Sequence, residues 1–170
     1  MVTITIAEEE HMISELFQLA LKAKGQKAYR KETSPDCNYL LLEPSAQKSC
    51  DVLLLHQQIS TKGADYITLL NSDKKITPPG KKSLVITYGL NPLATVTASS
   101  FSTDEEKTSF LCCLQRSIVT LKGKVIEPQE FPVILPKPIQ DLSAAMGFVC
   151  LCLILSFAPK DLCFKTKPLS

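Results

Sequence analysis

The chain has 170 residues, 45% hydrophobic and 21% charged, with a formal net charge of +2. That length holds one domain, 1–170, with a substantial core. The charge is too small and too scattered to predict nucleic-acid binding or attraction to an anionic membrane surface. Trp is absent and only 6% of the residues are aromatic, so no base-stacking platform is suggested. Seven cysteines are present. Most lie beside or inside apolar runs, the usage of small buried hydrophobes in a reducing compartment. The Cys112–Cys113 and Cys150-x-Cys152 spacings do not match zinc knuckles, and no metal site is expected. The start, MVTITIAEEE, has neither the basic region nor the apolar stretch of a secretory signal. A cytoplasmic location is therefore expected.

Residues 1–25 read as strand, loop, helix and stop. VTITIA is a β-branched run, and Ile13, Leu16, Phe17 and Ala20 share one helical stripe. Glu8, Glu9 and Glu10 suit the first turn of that helix, Lys22 and Lys24 its last, and Gly25 ends it. AYRK is a short strand candidate. NYLLLE and DVLLLH are continuous apolar runs, as in strands buried on both faces, and YITLLN and LVITYG repeat the type. ATVTASS alternates like a half-buried strand, with loops at 71–82 and at Asn91–Pro92. From Thr108 to Leu135 two arms flank Lys122–Gly123, which predicts an antiparallel hairpin. Pro128 and Pro132 place its second arm at an edge or a bulge.

A final helix is expected over 139–157. Leu142 to Pro159 carries no charge over 18 residues, the lower edge of a membrane span. A helix that is apolar all round also suits a domain core, and that reading is favoured over a membrane anchor. The expected class is α/β, a mostly parallel sheet with flanking helices and an antiparallel hairpin near the C-terminus. Several gaps between strands are shorter than the dozen residues of a helical crossover, so some crossovers must be loops or part of the sheet antiparallel.

Candidate chemistry is sparse. His11 and His56 are the two histidines, and His56 follows a strand, where α/β sites form. No spacing pairs it with a nucleophile, so a polar loop-end role is favoured. The acids Glu127 and Glu130 interrupt an apolar strand, which reads first as a bulge and second as a recognition edge. No catalytic residue is assigned.

In order and spacing these pieces resemble the central, ATP-binding domain of the Mur ligases. The family's loop of the type G-T-N-G-K-T-T falls on Glu8, Glu9, Glu10 and His11, with its lysine at Glu10 and its threonines at His11 and Met12. NYLLLEPS resembles the strand that ends in a metal-binding glutamate, placed here at Glu43. DVLLLHQQIS resembles the strand before T-N-x-x-x-D-H-x-D, without its Asp-His pair. ITLLNSDKK keeps Asn71 and Asp73 of N-x-D-D, with Lys74 in place of the second Asp. QDLSAAMGFVCLCLILSFAPKDL resembles the N-x-L-A-A helix and its exit. The resemblance implies a P-loop-like fold whose ATP and Mg²⁺ binding have been lost. It implies a non-catalytic module that binds a protein partner or itself, with an origin near cell-wall precursor synthesis. Two other readings stay open. One is a small-molecule or nucleotide binder, or altered enzyme, using a residual cleft of Glu43, His56, Asn71, Asp73 and Tyr88. The other is an adaptor anchored through Leu142–Pro159.

Overall fold

Each apolar run becomes a strand in the computed structural model, which describes residues 1–30, 36–80 and 82–165. Lys31 of the AYRK segment and Lys81 lie outside the described residues. In chain order the elements are β1 (Val2–Ala7), α1 (Met12–Ala23), β2 (Ala28–Tyr29), β3 (Tyr39–Leu42), β4 (Cys50–Leu55), β5 (Ala64–Asn71), β6 (Leu84–Tyr88), β7 (Val96–Thr103), β8 (Thr108–Leu114), β9 (Ile118–Val119), β10 (Val125–Ile126), β11 (Gln129–Leu135) and α2 (Leu142–Ile154). Nine strands form one sheet in the order β11-β8-β7-β6-β5-β4-β1-β3-β2. Its pairings are parallel except where β8 meets β7 and β11, so β8 alone runs against the rest. The fold is α/β with a mostly parallel sheet.

Both helices lie on one face of that sheet. Ile13, Leu16, Phe17, Ala20 and Leu21 of α1 join Ile4, Ile6, Val52, Leu54, Ile67 and Leu69 in a large core. Every residue of α2 after Leu142 is buried, against α1 and strands β5 to β7. The opposite face holds a smaller cluster of Ala7, Cys50, Leu53, Leu55 and Ala64. On β4, Val52 and Leu54 face one cluster and Leu53 and Leu55 the other. Burial on both faces explains why the run does not alternate. Among the described residues, the links from β4 to β5 and from β5 to β6 carry no helix. They send Ile59 and Ile76 down onto the smaller cluster instead. Short parallel crossovers are thus met by loops, which seal the second face in place of helices.

Three expectations are corrected. The glutamates are not in the first turn of α1, which starts at Met12 with only Glu15 as an early acid. His11 takes the N-cap position in the left-handed region, at φ 56°. Second, the antiparallel hairpin is present as expected, but its ladder is broken in the middle. Its arms pair as β8 and β11, while its tip is a separate two-stranded sheet, β9–β10, closed at Gly123 with φ 83°. Ile118 opposes Ile126 while Leu114 opposes Gln129, four residues against three, so a one-residue slip falls at Glu127–Pro128. Proline has no N–H for the ladder, and the pairing breaks there. Third, α2 has 13 residues, about 20 Å of helix. No described helix is long and apolar enough to cross a membrane.

Candidate functional site

The carboxyl ends of β1, β4 and β5 converge on a cleft of 360 Å³ that includes Glu9, Glu10, His56, Gln57, Lys74 and Asp141 in its lining. Strand ends of an α/β sheet are where such sites form. His56 lies just beyond β4, and its backbone N–H donates to Ala7 at the end of β1. Its ring is 5% exposed and both nitrogens are engaged. Nε2 lies 2.7 Å from Asp141 Oδ2, and Nδ1 lies 3.0 Å from the Tyr88 hydroxyl and 3.3 Å from Asn71 Nδ2. The Asn71 amide also donates to the His56 carbonyl at 3.2 Å, and its Oδ1 accepts from Asp73 N–H at 3.0 Å.

The proton positions follow from the partners. An ionised carboxylate can only accept, so Nε2 carries the hydrogen. Nδ1 then accepts from the Asn71 amide and the Tyr88 O–H. Burial pushes the Tyr88 phenol well above its ordinary value, with the nearby Cys150, Asp141, Glu8 and Asp73 acting in the same direction. It remains a donor. Gly147 of α2 makes room for that ring: a Cβ there would lie 3.0 Å from Tyr88 Cε2.

Asp141 joins this network to α2 as the helix N-cap, accepting from Ala144 N–H at 3.2 Å and Ser143 Oγ at 2.6 Å. Burial works against its charge. Hydrogen bonds from Ser143, His56 and Ala144 outweigh it and hold the pKa below the ordinary 3.8. A carboxylate depressed on folding stabilises above its unfolded pKa and loses that contribution as pH falls through the folded value. The stability gap between wild type and Asp141→Asn is therefore expected to be largest near neutrality and to close below about pH 4. Thermal unfolding across that range checks this.

At the head of α1 the loop folds back on itself. The Glu8 carboxylate accepts from Ile13 N–H at 2.7 Å, from Ser14 N–H at 2.9 Å and from Ser14 Oγ. Helix N-termini attract anions through such free N–H groups and the helix dipole. Here the anion is the chain's own side chain.

Comparison with solved structures gives the same architecture. The fold is Mur-ligase-like. MurF from Acinetobacter baumannii superposes with a TM-score of 0.59 at 10% identity, covering 94% of this chain and 43% of that one. The UDP-N-acetylmuramoylalanyl-D-glutamyl-2,6-diaminopimelate–D-alanyl-D-alanyl ligase of A. baumannii gives 0.60 at 11%, over 94% and 44%. MurF ligase from Thermotoga maritima, solved with ADP, gives 0.55 at 12%, over 98% and 49%. The chain spans less than half the length of each of these enzymes. No family model and no curated protein matches the sequence.

Within this Mur-ligase-like fold the sequence-derived candidates separate into groups. Glu8, Glu9, Glu10 and His56 share the cleft. Asn71 and Tyr88 lie beneath it, fully buried, and are hydrogen-bonded to His56. Glu43 is elsewhere, paired with Arg30 at 3.3 Å across a small hollow that also contains His11. Asp73 is spent on the β6–β7 turn, accepting from Leu90 and Asn91 N–H at 2.7 and 2.8 Å. Gly89, at φ 144°, leaves room for that carboxylate. Asp141 was not among the candidates, although an Asp directly before an apolar helix is an N-cap signal. Among the described residues, no three His, Cys, Asp or Glu side chains are grouped to hold a metal ion.

Proposed function

We propose that this chain is a non-catalytic, Mur-ligase-like module that acts by binding a protein partner, with an origin near cell-wall precursor metabolism. The Glu8 carboxylate on the head of α1 carries this reading. A triphosphate would have to displace it and then face Glu9 and Glu10, with Lys74 the only lysine or arginine lining the cleft among the described residues. The T. maritima MurF was solved with ADP; the residues at the head of α1 in this chain do not fit a nucleotide phosphate with Mg²⁺. His56 supports the same reading, since neither ring nitrogen is left to take a proton from a ligand.

Thermal-shift titration of the full chain with Mg·ATP and ADP tests it. A ligand at 100 times its Kd adds about 2.7 kcal/mol. No rise in Tm is expected, and a clear rise in the wild type overturns the proposal. Glu8→Ala leaves the Ile13 and Ser14 N–H groups without their acceptor. It is expected to cost about 1 kcal/mol in urea unfolding, the scale of a lost helix cap.

A further inference from the structure

The two ends of the nine-stranded sheet differ. At one end β11 carries Pro132, which has no N–H, and Ile134 is bridged to Cys163 while its carbonyl accepts from Phe164. That edge is blunted against a further strand. At the other end β2 pairs with β3 on one side and, among the described residues, with no strand on the other.

Beside β2 lies a groove of 380 Å³ between the last turns of α1 and residues 25–29. Leu21, Ala28 and Tyr29 give it apolar walls, and among the described residues no acidic side chain lines it. Lys22 and Lys27 are exposed and have no ion-pair partner among the described residues. Their neighbours are already satisfied: Lys24 by Asp161 and Arg30 by Glu43. In the same groove Gln26 Oε1 is buried without a hydrogen-bond donor, the one side-chain atom so placed among the described residues. A buried acceptor left without a donor is unfavourable until one arrives.

We propose that this groove receives an acidic segment of a partner protein, laid in extended form alongside β2. Its carboxylates meet Lys22 and Lys27, an N–H group satisfies Gln26 Oε1, and its apolar side chains cover Ala28 and Tyr29. Strand addition to a free sheet edge takes affinity from the main chain and specificity from side chains at alternate positions. The proposal names the partner surface of the module described above and rests on that reading.

A fluorescent octapeptide of alternating valine and glutamate, titrated into the full chain by anisotropy, tests it. The acidic peptide is expected to bind and its valine–lysine counterpart is not. Reversing both rim charges (Lys22→Glu with Lys27→Glu) is expected to weaken the acidic peptide about tenfold or more, and to confer binding of the basic one. Both positions are exposed, so the variant still folds, with only the small fall in Tm that an acid in the last turn of α1 brings. Gln26→Met is expected to weaken the peptide while leaving the free protein as stable or more so, which a purely structural glutamine would not do. Equal binding of the two peptides, an affinity unmoved by the double reversal, or equally tight binding of an oligothymidylate overturns the assignment. If the peptide fails while nucleotides remain silent, only the groove assignment falls. A Tm rise with Mg·ATP removes the module reading itself.

Discussion

Replacing Phe148 by alanine is expected to remove about 3–5 kcal/mol of unfolding free energy, the usual cost of deleting a buried aromatic ring. Phe148 is fully buried on α2, with the Phe164 ring 6.3 Å away. Around it α2 presents no polar side to solvent, so the gap cannot fill with water bound to polar groups. Collapse is resisted from below by the sheet and from the side by α1. Equilibrium urea unfolding, with the m-value compared to wild type, measures the loss. A cost under about 1 kcal/mol would mean that α2 is far less tightly packed than its burial indicates.

Asn71→Leu is expected to cost about 3 kcal/mol by a different route. The side chains are similar in size, so packing changes little. What disappears is a set of three bonds: to the His56 carbonyl, to His56 Nδ1 and from Asp73 N–H. Each buried partner left unmade costs about 1–3 kcal/mol. The effect should spread beyond the residue, because Asp73 holds the 90–91 turn and His56 holds Asp141. Amide exchange at Leu90 and Asn91 should quicken along with the fall in stability. A variant as stable as wild type would show that the network under the cleft carries no weight.

The strands were legible because burial on two faces writes itself as an unbroken apolar run, as in β4. The one-sided strand β8 alternates instead, with Thr108, Phe110, Cys112 and Leu114 inward. The stop at Gly25 was legible too: it adopts φ 65°, and Gln26 N–H reaches back to the Leu21 carbonyl. What covers the second face was not, because periodicity shows that a face is buried and not by what. The glutamates fit the first turn on propensity alone; only the left-handed turn at His11 moves them off the helix and brings Glu8 back onto its N–H groups. The link from His56 to Asp141 spans 85 residues, and no local spacing reports a contact of that range. Asn71 and Tyr88 read in the sequence as cleft residues. In the fold they lie buried beneath His56 and hydrogen-bond to its ring.

The place of α2 in the chain has a consequence for how the protein is made. Residues 142–154 follow every strand, yet they cover the inner face of β5 to β7. β1 is made before β3 and β4, the two strands between which it sits. Parallel pairings between distant segments form slowly because loop closure must precede them. Until residues 142–154 are made, the growing chain therefore carries an apolar, uncovered sheet surface, the condition under which nascent proteins depend on chaperones.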